Sequence, residues 1–254
     1  MFRALITAIR TLTLFPVPGK DTERFPLALY AFPLVGALLG GILVVLGLVF
    51  EALPWHPWVR GEAVFLALAL VILTRGLHWD GLADWADSLG AGTNREKALA
   101  ILKDPHTGAF GALALVFVAL AWVELAAQLV TTRGLWWLAG VLVITRSLQV
   151  ELICFYPYAR QEGMAGPFIE GAGKGQRLSA VLLGLALTYP LFGPMAFAAY
   201  GLGFLTTHGF GLTQSKRLGG ITGDLIGASN LLNELVLLGL GILYPPTYFV
   251  WRLW

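Results

Sequence analysis

Three aspartates recur at helical spacing within one short polar stretch of an otherwise apolar chain. Asp80, Asp84 and Asp87 follow one another at i, i+4 and i+7, and Asp104 lies further along the same stretch. On a helix this spacing places the first three carboxylates on one face, where like charges repel each other. A bound cation would relieve that repulsion. Because all the ligands would be oxygens, the pattern predicts a hard divalent ion, with Mg²⁺ favoured where phosphates are also bound.

The alternative is that these carboxylates form a solvated face at the edge of a membrane. Solvated faces usually mix the two signs of charge, yet no Lys or Arg lies between Arg75 and Arg95. This absence favours the cation-binding interpretation. Asp104 is a possible fourth ligand, or it simply begins a turn before Pro105.

A second polar cluster follows in the same loop. Lys103 and His106 precede a glycine-rich segment that contains Thr107, Gly108 and Gly111. A helix that begins there offers free backbone N–H groups and the positive end of its dipole, which favours an anion. Lys103 is therefore a candidate phosphate contact, and the alternative is a basic residue that anchors the loop at the membrane.

Two arginines lie in unusual surroundings. Arg146 falls inside a long apolar run, where an arginine is costly and commonly functional. It has three possible partners, which are Glu151, Glu124 or a substrate phosphate. Arg160 belongs to the loop 154–177, whose aromatic residues and glycines suit a mobile segment that closes over a large anionic ligand.

A fourth loop joins a basic pair to a glycine-rich turn. Lys216 and Arg217 precede several glycines and Asp224, an arrangement that suits a phosphate cradle but lacks the spacing of a P-loop. Asp224 is either a second metal ligand or a helix cap. His78, just before the aspartates, is either a general base or an interfacial hydrogen-bonding residue.

Composition places all these loops in a membrane protein. The chain has 254 residues, of which 57% are hydrophobic and 13% charged, against about a quarter charged in a soluble domain. The single cysteine excludes an internal disulfide. We expect one all-α, polytopic membrane domain over 1–254, with an interfacial segment at 1–27 and seven spans at 28–50, 62–79, 109–130, 135–153, 178–192, 195–213 and 229–250. The segment 178–213 is alternatively one kinked or re-entrant element.

Basic residues give this topology a direction. With residue 1 in the cytoplasm, thirteen Lys and Arg lie in or beside cytoplasmic segments, three lie on the opposite side, and Arg146 lies within a span. This is a strong positive-inside bias. The topology predicts that every polar loop described above faces the cytoplasm. Clustered acids that hold Mg²⁺ and bases that hold phosphates then indicate phosphoryl or phosphodiester transfer on a membrane-associated substrate.

The same residues resemble those of a known family, the cobalamin synthases or adenosylcobinamide-GDP ribazoletransferases. The resemblance covers nearly the whole chain and is most specific in the two segments around the aspartates. Its motifs are TLFPVP (13–18), FPLVGALLG (32–40), GLHWDGLADWADSLGAG (76–92), ILKDPHTGAFG (101–111), YARQEG (158–163) and LGGITGDLIGA (218–228).

The resemblance implies a particular reaction. The family joins adenosylcobinamide-GDP to α-ribazole or its 5′-phosphate, releases GMP, requires Mg²⁺ and resides in the bacterial or archaeal inner membrane. The implied Mg²⁺ ligands are Asp80, Asp84, Asp87 and Asp104, and His78 or an aspartate would deprotonate the attacking hydroxyl. The implied catalytic residues are His78, Asp80, Asp84 and Asp87, and the implied substrate or phosphate contacts are Lys103, His106, Arg146, Arg160, Lys216, Arg217 and Asp224.

Two other classes share some of these features. CDP-alcohol phosphotransferases also use closely spaced aspartates, and Asp80-Gly81 and Ala83 resemble their motif, but Asp84 stands where that family has Arg. A transporter or cation channel would carry its acids in the middle of its spans, whereas most acids here lie in loops. The nucleotide released distinguishes the two kinds of enzyme: an adenosylcobinamide-GDP ribazoletransferase releases GMP, and a CDP-alcohol phosphotransferase releases CMP.

Overall fold

Helices form every regular element in the part of the chain that the structure describes, residues 1–54 and 58–244. The structure is a computed structural model. A 3-10 helix, Phe25–Ala31, leads into the second α-helix. The α-helices are α1 (Phe2–Leu12), α2 (Phe32–Glu51), α3 (Val59–Leu73), α4 (Leu77–Leu89), α5 (Arg95–Ile101), α6 (Ala109–Thr131), α7 (Leu135–Phe155), α8 (Gly166–Ile169), α9 (Lys174–Phe192), α10 (Met195–Leu218) and α11 (Gly223–Leu243). The predicted all-α class is confirmed.

Four helical segments are long and apolar enough to cross a bilayer. They are Phe25–Glu51, Ala109–Thr131, Leu135–Phe155 and Gly223–Leu243. The protein is therefore a multi-pass membrane protein, but the structure does not reproduce the predicted seven spans. A bent pair of helices raises the number to at most five among the described residues. Residues 245–250 of the predicted last span lie outside those residues.

The predicted second span, 62–79, is wrong as a single straight helix. Helix α3 ends at Leu73, and α4 leaves it at 90°. The chain turns because Arg75 and Gly76 both take the left-handed backbone conformation, with φ of 54° and 67°. His78 therefore lies near the start of α4, on the same helix as the three regularly spaced aspartates.

The segment 178–213 consists of two helices, α9 and α10, which meet at Gly193 and Pro194. Gly193 has a φ of 56°, which ends α9 sharply. Neither helix has the mean hydropathy of the four spanning segments, because glycine and polar residues interrupt its apolar residues. A Cβ at Gly184 of α9 would collide with the Tyr200 hydroxyl of α10, so the two helices fold back on each other and are not one kinked helix.

Helix α7 lies at the centre of the bundle and is buried along almost its whole length. It packs against α2, α9, α10 and α11. A Cβ at Gly36 of α2 would lie 2.4 Å from the carbonyl oxygen of Leu142, so α2 and α7 approach backbone to backbone. Any polar side chain on α7 must consequently find its partner inside the protein.

The N-terminal segment folds back beside this bundle. Helix α1 buries Ala4, Ile6, Ala8 and Leu12 and ends before the proline-containing segment at 15–19, as predicted. Arg10 then holds the returning chain, because its guanidinium donates to the carbonyls of residues 17 and 19 and to an aspartate at 21, at 2.9–3.0 Å.

Candidate active site

A cavity of about 960 Å³ lies where α4, α7 and α11 meet the N-terminal segment and the segment 164–168. Its size is near the upper end of the range for small-molecule sites. Phe25, Phe32 and Phe168 contribute to an apolar wall. Its charged and polar lining residues include Thr11, Arg75, His78, Asp80, Thr107, Gln149 and Asp224.

Close packing of α4 against α11 brings the acidic residues of two helices together. A Cβ at Gly81 would lie 2.6 Å from the backbone oxygen of Asp224, and one at Gly227 would lie 3.2 Å from Cα of His78. Larger residues at these two glycines would separate the helices. The close contact places Asp80 and Asp224 on the same cavity, although they are far apart in sequence.

Asp84 lies within electrostatic range of both carboxylates. Asp80, Asp224 and Arg160 all act on its charge. Arg160 donates to Asp224 at 2.7 Å, but no described residue donates a hydrogen bond to Asp80 or Asp84. Two acidic side chains are thus available to a ligand, beside a third that is already oriented.

These acids have the chemistry that Mg²⁺ prefers. Within residues 1–54 and 58–244, no three His, Cys, Asp or Glu side chains are arranged to chelate one ion. Mg²⁺ commonly takes one or two protein carboxylates and completes its coordination with substrate phosphates and water. Any one or two of Asp80, Asp84 and Asp224 would serve in that mode of binding.

Asp87, the third aspartate on α4, has a different partner. One of its carboxylate oxygens accepts from the Gly108 N–H at 2.7 Å, and the other accepts from the Gly111 N–H at 2.8 Å. The carboxylate can approach this closely because both residues are glycines. A Cβ at Gly108 would lie 2.5 Å from a carboxylate oxygen of Asp87, and one at Gly111 would lie 2.3 Å from the other. The anion predicted at the start of this helix is therefore the protein's own Asp87.

Asp104 also lies apart from the other acids. His106 contacts it through the ring nitrogen Nδ1 at 2.6 Å and donates its backbone N–H at 3.0 Å. These hydrogen bonds lower the pKa of Asp104. Lys103, Asp104 and His106 are exposed and do not line the cavity, whereas Thr107 does. The structure does not bring the four predicted aspartate ligands together.

Arg146 is completely buried and pairs with Glu234 at 2.7 Å. Neither of the two glutamates that we considered from the sequence is its partner. Glu124 contacts Arg60, and Glu151 contacts Arg177 and His208. Glu234 also accepts hydrogen bonds from Trp122 at 3.2 Å and Asn230 at 2.7 Å. The predicted contact of Arg146 with a phosphate has no direct support, because Arg146 does not line the cavity.

Arg160 and Arg217 bind the protein's own main chain. Arg160 donates to the carbonyl of Leu102 at 2.7 Å, in addition to its contact with Asp224. Arg217 donates to the carbonyls of Ser88 and Gly92 and so holds the end of α10 against the end of α4. Lys216, its neighbour, is exposed.

Asp224 is not the helix cap that was one of its two predicted roles. The N-cap of α11 is Thr222, whose hydroxyl accepts from the Leu225 N–H at 3.4 Å. The same hydroxyl donates to Asp224 at 3.2 Å. Thr222 and Arg160 together therefore orient the Asp224 carboxylate on the edge of the cavity.

Two cavity residues were missed by the sequence analysis. Arg75 was counted only as a basic residue near the membrane, and its guanidinium donates to the carbonyls of Arg10 and Thr11 while it lines the cavity. Gln149 was not considered, although an amide side chain within a long apolar run is a visible signal. Its partner, His78, lies on another helix and could not be found from spacing.

The described helices and this cavity define a class of protein, a multi-pass helical membrane protein with acidic residues in a cavity within its bundle. Comparison with known proteins gives the family. A model of cobalamin-5-phosphate synthase matches residues 4–242. The chain belongs to this family.

Three relatives are similar in sequence to this chain over nearly its whole length. A protein of Chlorobium chlorochromatii is 41% identical and covers 98% of this chain and 100% of its own. A protein of Chlorobaculum parvum is 42% identical, and the match covers 92% of this chain and 93% of that protein. A protein of Klebsiella pneumoniae is 34% identical, and the match covers 94% of this chain and 98% of that protein. Each of the three is named adenosylcobinamide-GDP ribazoletransferase. None of the solved structures matches this chain.

Proposed function

We propose that this protein is an adenosylcobinamide-GDP ribazoletransferase that uses Mg²⁺. It joins adenosylcobinamide-GDP to α-ribazole, or to α-ribazole 5′-phosphate, and releases GMP. The observation that supports this most directly is that Asp80 of α4 and Asp224 of α11 line one cavity, with Asp84 in electrostatic range of both, in a chain that belongs to the cobalamin-5-phosphate synthase family.

The reaction exchanges one phosphate ester bond for another. A ribose hydroxyl of α-ribazole attacks the phosphorus attached to cobinamide, and the bond from that phosphorus to the oxygen of GMP breaks. The hydroxyl loses its proton, and GMP leaves with its negative charge. Such transfer depends mainly on alignment and on neutralising charge.

The acidic residues would supply both the metal site and the proton acceptor. Bound Mg²⁺ would neutralise charge on the pyrophosphate. Two of Asp80, Asp84 and Asp224 would hold it, and the third carboxylate would accept the hydroxyl proton. Arg75 extends positive charge to the same cavity and is a candidate contact for the phosphate oxygens.

The cavity would separate the two ends of the acceptor. The aromatic residues Phe25, Phe32 and Phe168 suit the flat base of α-ribazole, and the acids suit its sugar and the pyrophosphate. The corrin ring is far larger than a nucleoside, so we place it at the mouth of the cavity, where Arg75 and Met164 are exposed.

The distribution of basic residues supports a location in the cytoplasmic membrane, with the loops around α4 and α11 facing the cytoplasm. On the topology predicted from the sequence, thirteen Lys and Arg lie in or beside all the cytoplasmic segments, and three lie on the opposite side. Soluble nucleotide substrates would then enter from the cytoplasm, and the lipid bilayer would surround the apolar helices.

An assay of the purified protein in liposomes tests this function. The reaction contains adenosylcobinamide-GDP, α-ribazole or its 5′-phosphate, and Mg²⁺, and a matched reaction contains EDTA. We expect GMP and a cobalamin-type product in equal amounts, with both lost in EDTA and restored by excess Mg²⁺. Folded protein that forms neither product would contradict the proposal, and release of CMP from CDP-activated lipids would indicate the phospholipid enzyme.

A further inference from the structure

His78 is held by a buried amide. The side-chain nitrogen of Gln149 lies 2.8 Å from Nε2 of His78, and both side chains are only 3% exposed. An amide nitrogen only donates, so Nε2 of His78 must accept. In a neutral imidazole the proton is then on the other nitrogen, Nδ1.

A buried positive charge lies on the same helix as this amide. Arg146 is three residues earlier on α7, so the two side chains share one face of that helix. Its Nε and Nη2 are buried and donate to no described residue, and the Gln149 oxygen is buried and accepts from none. A cation on that face favours the orientation in which the amide N–H groups, and not the amide oxygen, face His78, as they do in the structure.

Arg146 is in turn fixed by its pair with Glu234 of α11. Two polar contacts thus leave α7 on one face: Arg146 pairs with Glu234 of α11, and Gln149 contacts His78 of α4. The backbone of His78 has little freedom, because it packs against Gly227.

We infer that Gln149 is a positioning residue that holds the His78 ring through Nε2 and leaves the N–H of Nδ1 for the cavity. Nε2 of His78 is occupied, whereas Nδ1 has no hydrogen-bond partner among the described residues, and His78 lines the cavity. His78 therefore donates a hydrogen bond to a substrate oxygen and does not act as the general base. This inference rests on the proposed function and leaves the proton to a carboxylate.

The tautomer is measured directly by ¹⁵N NMR of histidine-labelled protein. His78→Asn removes the His78 signals and so assigns them. We expect a protonated Nδ1 and an unprotonated Nε2 in the wild type. In Gln149→Glu the carboxylate can only accept, so the proton should move to Nε2. A wild-type protein with the proton on Nε2 would overturn the inference, whether or not the protein makes product.

The kcat values of two His78 variants then show whether His78 acts as a hydrogen-bond donor or as a general base. The amide nitrogen of an asparagine side chain occupies nearly the position of Nδ1 and can donate but cannot take up a proton. Loss of one hydrogen bond that strengthens in the transition state lowers kcat about 100-fold. We expect kcat to fall by that factor in His78→Ala. In His78→Asn we expect kcat to fall no more than about tenfold, because the hydrogen-bond donor is retained.

Equal loss in the two His78 variants would overturn the role as a donor. Gln149→Glu should lower kcat with little change in the KM of adenosylcobinamide-GDP, because it moves a proton without removing a binding group. If the wild type makes no product at all, the proposed function fails, and the NMR experiment still tests the position of the proton.

Discussion

The two ends of α4 carry similar residues in different surroundings. Toward its N-terminus, Asp80 and Asp84 lie near a cavity and accept no hydrogen bond from the described residues. Toward its C-terminus, Asp87 accepts two backbone N–H groups of the α6 N-terminus, and Ser88 contacts Arg217 of α10. One end is available for chemistry, and the other end fastens neighbouring helices.

The difference shows what spacing alone can establish. The interval i, i+4, i+7 places three carboxylates on one face of a helix, but the neighbouring helices decide what each one meets. Asp87 meets the free N–H groups of a helix N-terminus, which stabilise a carboxylate without a metal. Asp80 meets a cavity. The comparison between these two ends of α4 can be tested by substitution.

The largest effect is expected at the cavity end. Asp84→Asn keeps the size of the side chain but removes a charge from the proposed metal site, so turnover should fall on the order of 1,000-fold, as for an interaction worth several kcal/mol. GMP release measures it. Asp104→Asn is the matched control, because Asp104 is an exposed aspartate that lies apart from the other acids and does not line the cavity. Equal losses in the two variants would contradict the distinction between them.

At the other end of α4 we expect a loss of stability. Asp87→Ala leaves the N–H groups of Gly108 and Gly111 without their acceptor and should lower the free energy of unfolding by about 1–2 kcal/mol. Asp87→Asn retains one oxygen and should cost less. Thermal unfolding in detergent measures both. An unchanged Tm together with a loss of activity as large as that of Asp84→Asn would assign Asp87 to the chemistry instead.

A smaller loss is expected where α10 is fastened to α4. Arg217→Lys removes the forked contact with the carbonyls of Ser88 and Gly92 and should cost about 1 kcal/mol of stability, with little change in the KM of adenosylcobinamide-GDP. Lys216→Ala is the control, because that side chain is exposed. A several-fold rise in KM for Arg217→Lys at unchanged Tm would support the phosphate cradle predicted from the sequence.

The smallest effect concerns the pair of Asp104 and His106. Its hydrogen bonds lower the pKa of Asp104 in the folded protein, so they stabilise the fold above the ordinary aspartate pKa of about 4, and this contribution disappears as the pH falls through the lowered value. Asp104→Asn should therefore lower Tm slightly at pH 7, and this difference should shrink as the pH falls below about 4. A marked fall in GMP release at pH 7 would place Asp104 in the active site.

Much of the fold followed from the sequence, because long apolar runs and a break at Phe15–Gly19 are local signals. The bend after α3 did not, because it depends on a left-handed conformation at Arg75, a residue type that rarely adopts it. The predicted spans over α9 and α10 failed for another reason. Both segments are helical, but they are less apolar than the spanning helices.

Part of the candidate site could also be predicted from local signals in the sequence. Asp80, Asp84 and His78 belong to one helix, so their spacing was informative. The roles of Arg146, Arg217 and Asp87 depend on partners 21 to 129 residues away in sequence, which spacing cannot identify. Gln149 was a visible polar residue in an apolar run, but its meaning required the position of His78 on α4.

The most direct test of the central claim is a comparison of Asp84→Asn and Asp87→Asn in one assay of GMP release. The substrates are adenosylcobinamide-GDP and α-ribazole with Mg²⁺, and each rate is divided by the amount of folded protein. The account predicts that Asp84→Asn retains about a thousandth of the wild-type rate and that Asp87→Asn stays within about tenfold of it. The reverse order, or equal loss in both, would contradict the assignment of chemistry to the cavity end of α4.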